Sequence, residues 1–172
     1  MKILHPFYFG RVNWLMLHNK IIKKVNFEIK QMDKLMQIYR DLIEKCKDTE
    51  PEIVELTALA SVLHSFYNGV ENIFLLIAKN IDKDKPEGAK WHKDLLLQMT
   101  DEIDKRPAVI SDEMKNKLKN YLGFRHFYRH SYSFFLDWEE IKSLVSSLTD
   151  IWEQLKRELK VFLKKERNND IS

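Results

Sequence analysis

The sequence predicts an all-α protein, an up-and-down helical bundle with three long and two shorter helices. Apolar residues recur at spacings of three and four over long stretches, and no segment shows the alternation typical of a strand. Glycine supplies only 4 of the 172 residues, roughly a third of the usual ~7%, which excludes most β-sandwiches, dinucleotide-binding sheets and P-loops. The prolines separate the periodic stretches and mark the places where helices end; they are Pro6, Pro51, Pro86 and Pro107.

Each helix is recognised by an apolar stripe and by signals at its ends. The five predicted helices cover residues about 17–47, 51–81, 89–102, 111–125 and 138–166. Thr49 and Glu52 are spaced as a capping box for the second helix, and Asp137 with Glu140 for the last. Ser111 is a suitable N-cap for the fourth. The stripes on the three long helices predict a core or a dimer surface rather than a ligand site.

Length and composition describe one globular domain. We expect residues 16–167 to form it, with residues 1–15 as an N-terminal extension and 168–172 as a frayed tail. The single cysteine, Cys46, excludes an internal disulfide and a cysteine-rich metal site, and it fits the reducing cytoplasm. The longest apolar run, residues 73–78, is far shorter than the ~20 residues of a membrane span. We therefore expect a cytoplasmic protein that makes no use of a membrane.

Positive charge is concentrated between Met114 and Leu136, although the net charge of the chain is only +3. This segment has no acidic residue and contains His126 and His130. A cationic surface beside imidazoles suits a phosphodiester substrate, while a solvated basic helix face is the alternative interpretation. Its basic residues are Lys115, Lys117, Lys119, Arg125 and Arg129.

RNA cleavage without a metal ion or another cofactor needs two kinds of side chain. A base takes the proton of the 2′-hydroxyl and an acid protonates the leaving 5′-oxygen, and histidine is suited to both near neutral pH. A guanidinium stays protonated and can hold two phosphate oxygens. His130 is therefore the candidate acid/base and Arg125 the candidate phosphate clamp. A competing interpretation makes His126 and His130 metal ligands on one helical turn, with Glu71 as the third.

The spacing of Arg125 and His130 restricts how they can cooperate. Residues five apart on an α-helix point ~140° apart, so these two do not share a face. Either the helix ends between them, or a twofold dimer brings two copies around one cleft. Glu71 is a candidate to hold Arg125 or Arg129 by a salt bridge, and the nearby mid-helix Gly69 predicts a close helix contact.

The remaining histidines show no constellation in the sequence. His64 and His92 are therefore expected to be packing or surface residues. Tyr132, two residues beyond His130, has an ordinary interpretation as a half-buried core tyrosine.

Arg125, His130 and Tyr132 follow a pattern in which four residues separate the arginine from the histidine and one separates the histidine from the tyrosine. The pattern resembles the signature of the HepT-like ribonuclease toxins of the HEPN superfamily. The resemblance extends over about residues 16–165 and implies a HEPN-like bundle. Other stretches resemble that family in the same order: HSFYNGVENIF (64–74), WHKDLL (91–96), RPAVIS (106–111) and FLDWEEI (135–141).

The resemblance also implies an activity and its control. It makes Arg125 and His130 the catalytic pair at a homodimer cleft, acting on RNA rather than DNA and leaving a 2′,3′-cyclic phosphate. It makes Tyr132 the residue to which a minimal nucleotidyltransferase antitoxin, the cognate partner, adds AMP. His126 and Arg129 are supporting candidates, although Arg129 replaces the small aliphatic residue of many relatives. The alternatives are a non-catalytic HEPN-like module that binds a nucleotide or a protein, and a plain helical adaptor.

Overall fold

The computed structural model describes residues 6–103, 106–130, 132 and 135–169, with side chains described from residue 19 to residue 167. The described chain forms six α-helices and one π-helical turn at Ala78–Asp82. This confirms the predicted all-α bundle, and within the described ranges only an isolated bridge between Ile103 and Arg106 has β geometry. The helices are α1 (Pro6–Ile38), α2 (Arg40–Asp48), α3 (Ile53–Ile77), α4 (Trp91–Gln98), α5 (Asp112–His130) and α6 (Trp138–Asn169).

Helix α3 is the centre of the bundle and packs against α1, α4, α5 and α6. Its stripe is almost completely buried, with Leu63, Phe66 and Val70 at 0% exposure. Phe66 meets Tyr121 of α5 and Trp152 of α6 edge to face, at ring-centroid distances of 5.1 and 6.3 Å. These apolar contacts hold α5 in a defined rotation against α3, and that rotation determines which side chains of α5 face inward.

Helices α1 and α3 approach each other closely at Gly69. A methyl group added to Gly69 would overlap Sδ of Met32 on α1 and lie 3.1 Å from its Cγ. Met32 is itself buried, so the contact has little room to relax. The close helix contact predicted from this mid-helix glycine is confirmed.

Two features of the first half of the chain differ from the prediction. The first predicted helix is divided at Tyr39, so that α2 packs against α3 and α6 and buries Ile43 and Cys46. The predicted Thr49–Glu52 capping box is wrong. The capping box of α3 joins Glu52 to Glu55 instead, because Pro51 restricts the preceding residue to an extended backbone and delays the start of the helix.

The predicted N-terminal caps of α5 and α6 agree with those observed. Ser111 caps α5 by accepting a hydrogen bond from the Met114 amide at 3.1 Å. Asp137 accepts one from the Glu139 amide at 2.9 Å at the start of α6. Helix α1 begins at Pro6 and passes without interruption through residue 16, the predicted start of the domain. The first five residues of the predicted extension and the last three of the predicted tail lie outside the described residues.

Among the described helices, none combines the length and the apolar character required to cross a membrane.

Candidate functional site

A polar cluster occupies the place where α3, α4 and α5 meet, and Arg125 is its centre. Arg125 lies on the inner side of α5 and is only 8% exposed. Its Nε donates a hydrogen bond to Oδ1 of Asn68 at 2.8 Å and lies 3.1 Å from Oε2 of Glu71. The structure thus contains the Glu71–Arg125 ion pair, one of the two pairs that the sequence suggested for Glu71.

Helix α4 adds His92, which the sequence analysis treated as a packing or surface residue. Nδ1 of His92 lies 2.5 Å from Oε1 of Glu71, and Nε2 lies 3.4 Å from Nη1 of Arg125. A guanidinium can only donate hydrogen bonds, so Nε2 must accept and Nδ1–H must donate to the carboxylate.

Asn68 extends the cluster along α3 to His64. Since Oδ1 of Asn68 accepts from Arg125, its Nδ2 donates to Nε2 of His64, at 2.9 Å. His64 is therefore neutral in this arrangement. Burial lowers the pKa of His64, and the positive charges of Arg125 and Arg129 lower it further.

The carboxylate of Glu71 is buried at 4% exposure. Burial raises the pKa of Glu71, while the charge of Arg125 and the imidazole of His92 act in the opposite direction. A buried carboxylate without such partners would be very costly, and a buried guanidinium likewise. The guanidinium keeps its charge in any environment, so Arg125 stabilises the ionised form of Glu71, and Glu71 supplies the counter-charge that lets Arg125 be buried.

The remaining candidates on α5 differ from Arg125 in exposure: Arg129 lies one turn beyond it on the same face, whereas His126 and His130 point roughly 100° and 140° away from it. His126, Arg129 and His130 are exposed, and His130 is the last residue of the helix. Because α5 is continuous from Arg125 to His130, the helix does not end between them. The first of the two arrangements that the spacing allowed is therefore wrong, and the twofold dimer stays a prediction.

Two of the five basic residues of the predicted face pair with acidic residues one turn earlier on α5. Lys115 pairs with Asp112, and Lys117 pairs with Glu113 at 2.6 Å. Arg129 makes no ion pair with a residue that the structure describes. The positive charge that remains at the C-terminal end of α5 therefore comes from Arg129, with the two exposed histidines beside it.

His126 and His130 stack edge to face, with ring centroids 5.0 Å apart. Glu71, which the metal interpretation needed as the third ligand, is instead held by Arg125 and His92 inside the bundle. Within the described residues, no group of three or more His, Cys, Asp or Glu side chains is placed to hold a metal ion.

Tyr132 follows α5 directly and is 71% exposed, so it is not the half-buried core residue of the ordinary interpretation. Its carbonyl oxygen accepts a hydrogen bond from the Phe135 amide at 3.0 Å. Tyr132 is therefore an exposed residue two positions from His130. Ser131, Ser133 and Phe134 of the same segment lie outside the described residues.

The sequence analysis missed Asn68, His64 and His92 as members of this cluster. The signals were present in the segments HSFYNGVENIF and WHKDLL. A spacing of four, from His64 to Asn68, does place two polar residues on one face of an otherwise apolar helix. For His92 there was no such local signal, because its partners lie on other helices.

Comparison with known families supports the resemblance. The sequence model of a family described as "HepT-like protein" matches residues 58–166. The matched region runs from α3 into α6 and contains the whole polar cluster, His130 and Tyr132. Neither the curated proteins nor the solved structures gave a match. A match over more than half of the chain, on an all-α bundle of the predicted kind, shows that this protein belongs to the HepT-like family of the HEPN superfamily.

Proposed function

We propose that this protein is a metal-independent endoribonuclease that acts as the toxin of a toxin–antitoxin pair. One observation supports the proposal: Arg125 and His130 lie on one continuous helix, but the first is buried and the second is exposed. Arg125 is held on the inner side by Glu71 and Asn68, and His130 is exposed at the helix end. A twofold dimer supplies the missing proximity, because two copies of the α5 end then face one cleft.

In the proposed reaction the 2′-hydroxyl oxygen attacks the adjacent phosphorus. One His130 takes the hydroxyl proton, the new O2′–P bond forms, and the P–O5′ bond breaks as His130 of the second copy protonates the leaving oxygen. Arg125 stabilises the negative charge that builds on the phosphate in the transition state. The products are a 2′,3′-cyclic phosphate and a 5′-hydroxyl end, and neither a metal ion nor another cofactor takes part.

The activity is tested by incubating labelled RNA with the purified protein in excess EDTA. We expect cleavage to persist, to leave cyclic phosphate ends, and to fall by about 10²-fold or more in His130→Ala, the range for loss of a general acid or base. Asn116→Ala, an exposed change on the same helix, serves as the matched control. Activity that disappears with EDTA and returns with zinc would instead support the His126–His130 metal interpretation.

The dimer is tested by light scattering at micromolar concentration. We expect a particle of about twice the chain mass of 20.7 kDa. A monomer that nevertheless cleaves RNA would contradict the shared cleft.

Control by a nucleotidyltransferase partner is tested at Tyr132. We propose that the partner, with ATP and magnesium, adds AMP to the exposed hydroxyl and places an anionic phosphate and a purine beside His130. Tyr132→Phe keeps the ring and removes the acceptor oxygen, so it should cleave RNA and escape neutralisation. Intact-mass spectrometry should show added AMP on the wild type only. Equal neutralisation of both proteins without a mass change would mean inhibition by binding alone.

A second candidate function is a non-catalytic module that binds a nucleotide or a protein partner. One observation favours it: Arg125 is only 8% exposed, and its guanidinium is already paired with Glu71. RNA that binds at micromolar concentration and is recovered intact from the dimer, with and without added metal ions, would support this function over cleavage.

A further inference from the structure

His92, Glu71 and Arg125 form a closed set of contacts in which each side chain touches the other two. We propose that His92 is a positioning residue, which acts with Glu71 to fix the orientation of the Arg125 guanidinium toward an RNA phosphate. This inference rests on the proposed function, since it assigns the phosphate to Arg125.

The contacts come from three different helices and use different atoms of each group. One carboxylate oxygen of Glu71 serves Arg125 and the other serves His92, at 3.1 and 2.5 Å. The imidazole completes the set through Nε2, 3.4 Å from Nη1 of Arg125. Two anchoring points on one planar guanidinium define its plane, whereas a single ion pair leaves it free to rotate.

The orientation of this plane matters for the proposed chemistry. A guanidinium that binds phosphate through two parallel hydrogen bonds must present both donors in the correct direction. The described contacts of Arg125 engage Nε and Nη1. They leave Nη2 and the second hydrogen of Nη1 as the edge that meets the phosphate oxygens.

His92 is itself held in place, as a positioning residue must be. Its ring lies against that of Trp91, tilted by 31° at a centroid distance of 3.6 Å, and its side chain is only 20% exposed. The far end of α4 is anchored by Arg106, which donates to the Gln98 carbonyl at 3.1 Å and forms a buried ion pair with Asp82 at 2.5 Å. The imidazole is therefore carried by a rigid element.

Both ring nitrogens of His92 are engaged, one with a carboxylate and the other with a guanidinium. This arrangement argues for positioning rather than for proton transfer to the substrate. It also identifies a conservative replacement. The amide of glutamine has one donor for Glu71 and one acceptor for Arg125, but it cannot transfer a proton at neutral pH.

The test compares His92→Gln with His92→Phe, and uses Lys93→Ala, an exposed neighbour on α4, as the matched control. We expect His92→Phe to lower kcat on RNA by about 10²-fold, the effect of a misplaced catalytic group, with KM changed by less than about threefold. His92→Gln should stay within about fivefold of the wild type in kcat, because it restores both contacts. Inactivity of His92→Gln equal to that of His92→Phe would overturn positioning and favour proton transfer.

A double variant tests whether His92 acts through Arg125. In the Arg125→Ala background, His92→Phe should cause no further loss of activity, because the group that it positions is gone. A further loss of about 10²-fold there would overturn the proposal. If His92→Phe does not fold, as checked by circular dichroism, His92→Ser takes its place because serine is too short to reach either partner.

A measurement without RNA separates this inference from the proposed function. The Nη1 hydrogens of Arg125, which face His92, should give resolved and slowly exchanging NMR signals in the wild type, in His92→Gln and in Lys93→Ala, and averaged or shifted ones in His92→Phe. That pattern in a protein that does not cleave RNA would refute the ribonuclease and retain the positioning. An unchanged signal in His92→Phe would overturn the positioning whatever the activity.

Discussion

Replacing Glu71 with glutamine removes the charge on which Arg125 depends in the interior, while the side chain keeps its volume. The side chains of Glu71 and Arg125 are 5% and 10% exposed, and their charged atoms lie 3.1 Å apart. His92 loses its carboxylate partner in the same change. The guanidinium would then remain buried without a counter-charge.

The expected cost follows from this burial. Removing one partner of a buried ion pair costs about 3–5 kcal/mol, because the other charge is left uncompensated. We expect a value near the lower limit, about 3 kcal/mol, since the glutamine carbonyl and Asn68 still accept hydrogen bonds from Arg125. For a chain of this size the melting temperature should fall by about 6–12 °C.

Urea unfolding at pH 7.5, followed by circular dichroism, measures the free energy of unfolding. Glu87→Gln, in the exposed loop before α4, is the matched control and should change it by less than about 0.5 kcal/mol. The double variant Glu71→Gln/Arg125→Met should be more stable than the two single changes predict by addition, since no buried charge remains. A cost below about 0.5 kcal/mol for Glu71→Gln would show that Arg125 is solvated, and the argument for an inner guanidinium would be refuted.

Two further predictions concern the packing of α3 and the protonation of the cluster. Gly69→Ala should be less stable than the wild type, because its methyl group overlaps Met32, although alanine favours a helix by about 1 kcal/mol. Gly123→Ala should be more stable than the wild type, because a methyl group there meets no atom within 4 Å. Thermal melts that rank the two variants in the opposite order would contradict the contact between Gly69 and Met32. Burial lowers the pKa of His64 in the folded protein, so the unfolded chain binds more protons at this residue. The contribution of neutral His64 to folding stability is therefore present above the ordinary pKa of 6.5 and is lost as the pH falls below it. Between pH 7.5 and 5.5 the wild type should therefore lose more stability than His64→Gln. If urea melts show the same loss of unfolding free energy over this pH range in both proteins, the assignment of a neutral His64 is refuted.

Much of the fold could be predicted from local pattern. The apolar stripes identified the long helices, and the ends at Ser111 and Asp137 were correct because capping depends on residues within one turn of each other. The Thr49 cap was wrong, and the division at Tyr39 was not foreseen. The first error has a local cause, the effect of Pro51 on the residue before it. The division at Tyr39 goes with the packing of α2 against α6, a contact between distant parts of the chain.

The candidate site shows the same division between local and distant information. The sequence named Arg125, His130 and Tyr132 as candidates through the resemblance to the HepT-like family, and it showed that Arg125 and His130 cannot share a face of a helix. Of the partners of Arg125, the sequence predicted only Glu71. Asn68 is 57 residues from Arg125 along the chain and His92 is 33 residues away.

Only the tertiary structure decided that Arg125 is buried and that His126 and His130 are exposed. Periodicity determines which residues of a helix share a face, but it leaves open which face the neighbouring helices cover. That choice is made when α5 packs its apolar residues against α3 and α6, and the polar side chains follow the rotation that this packing imposes.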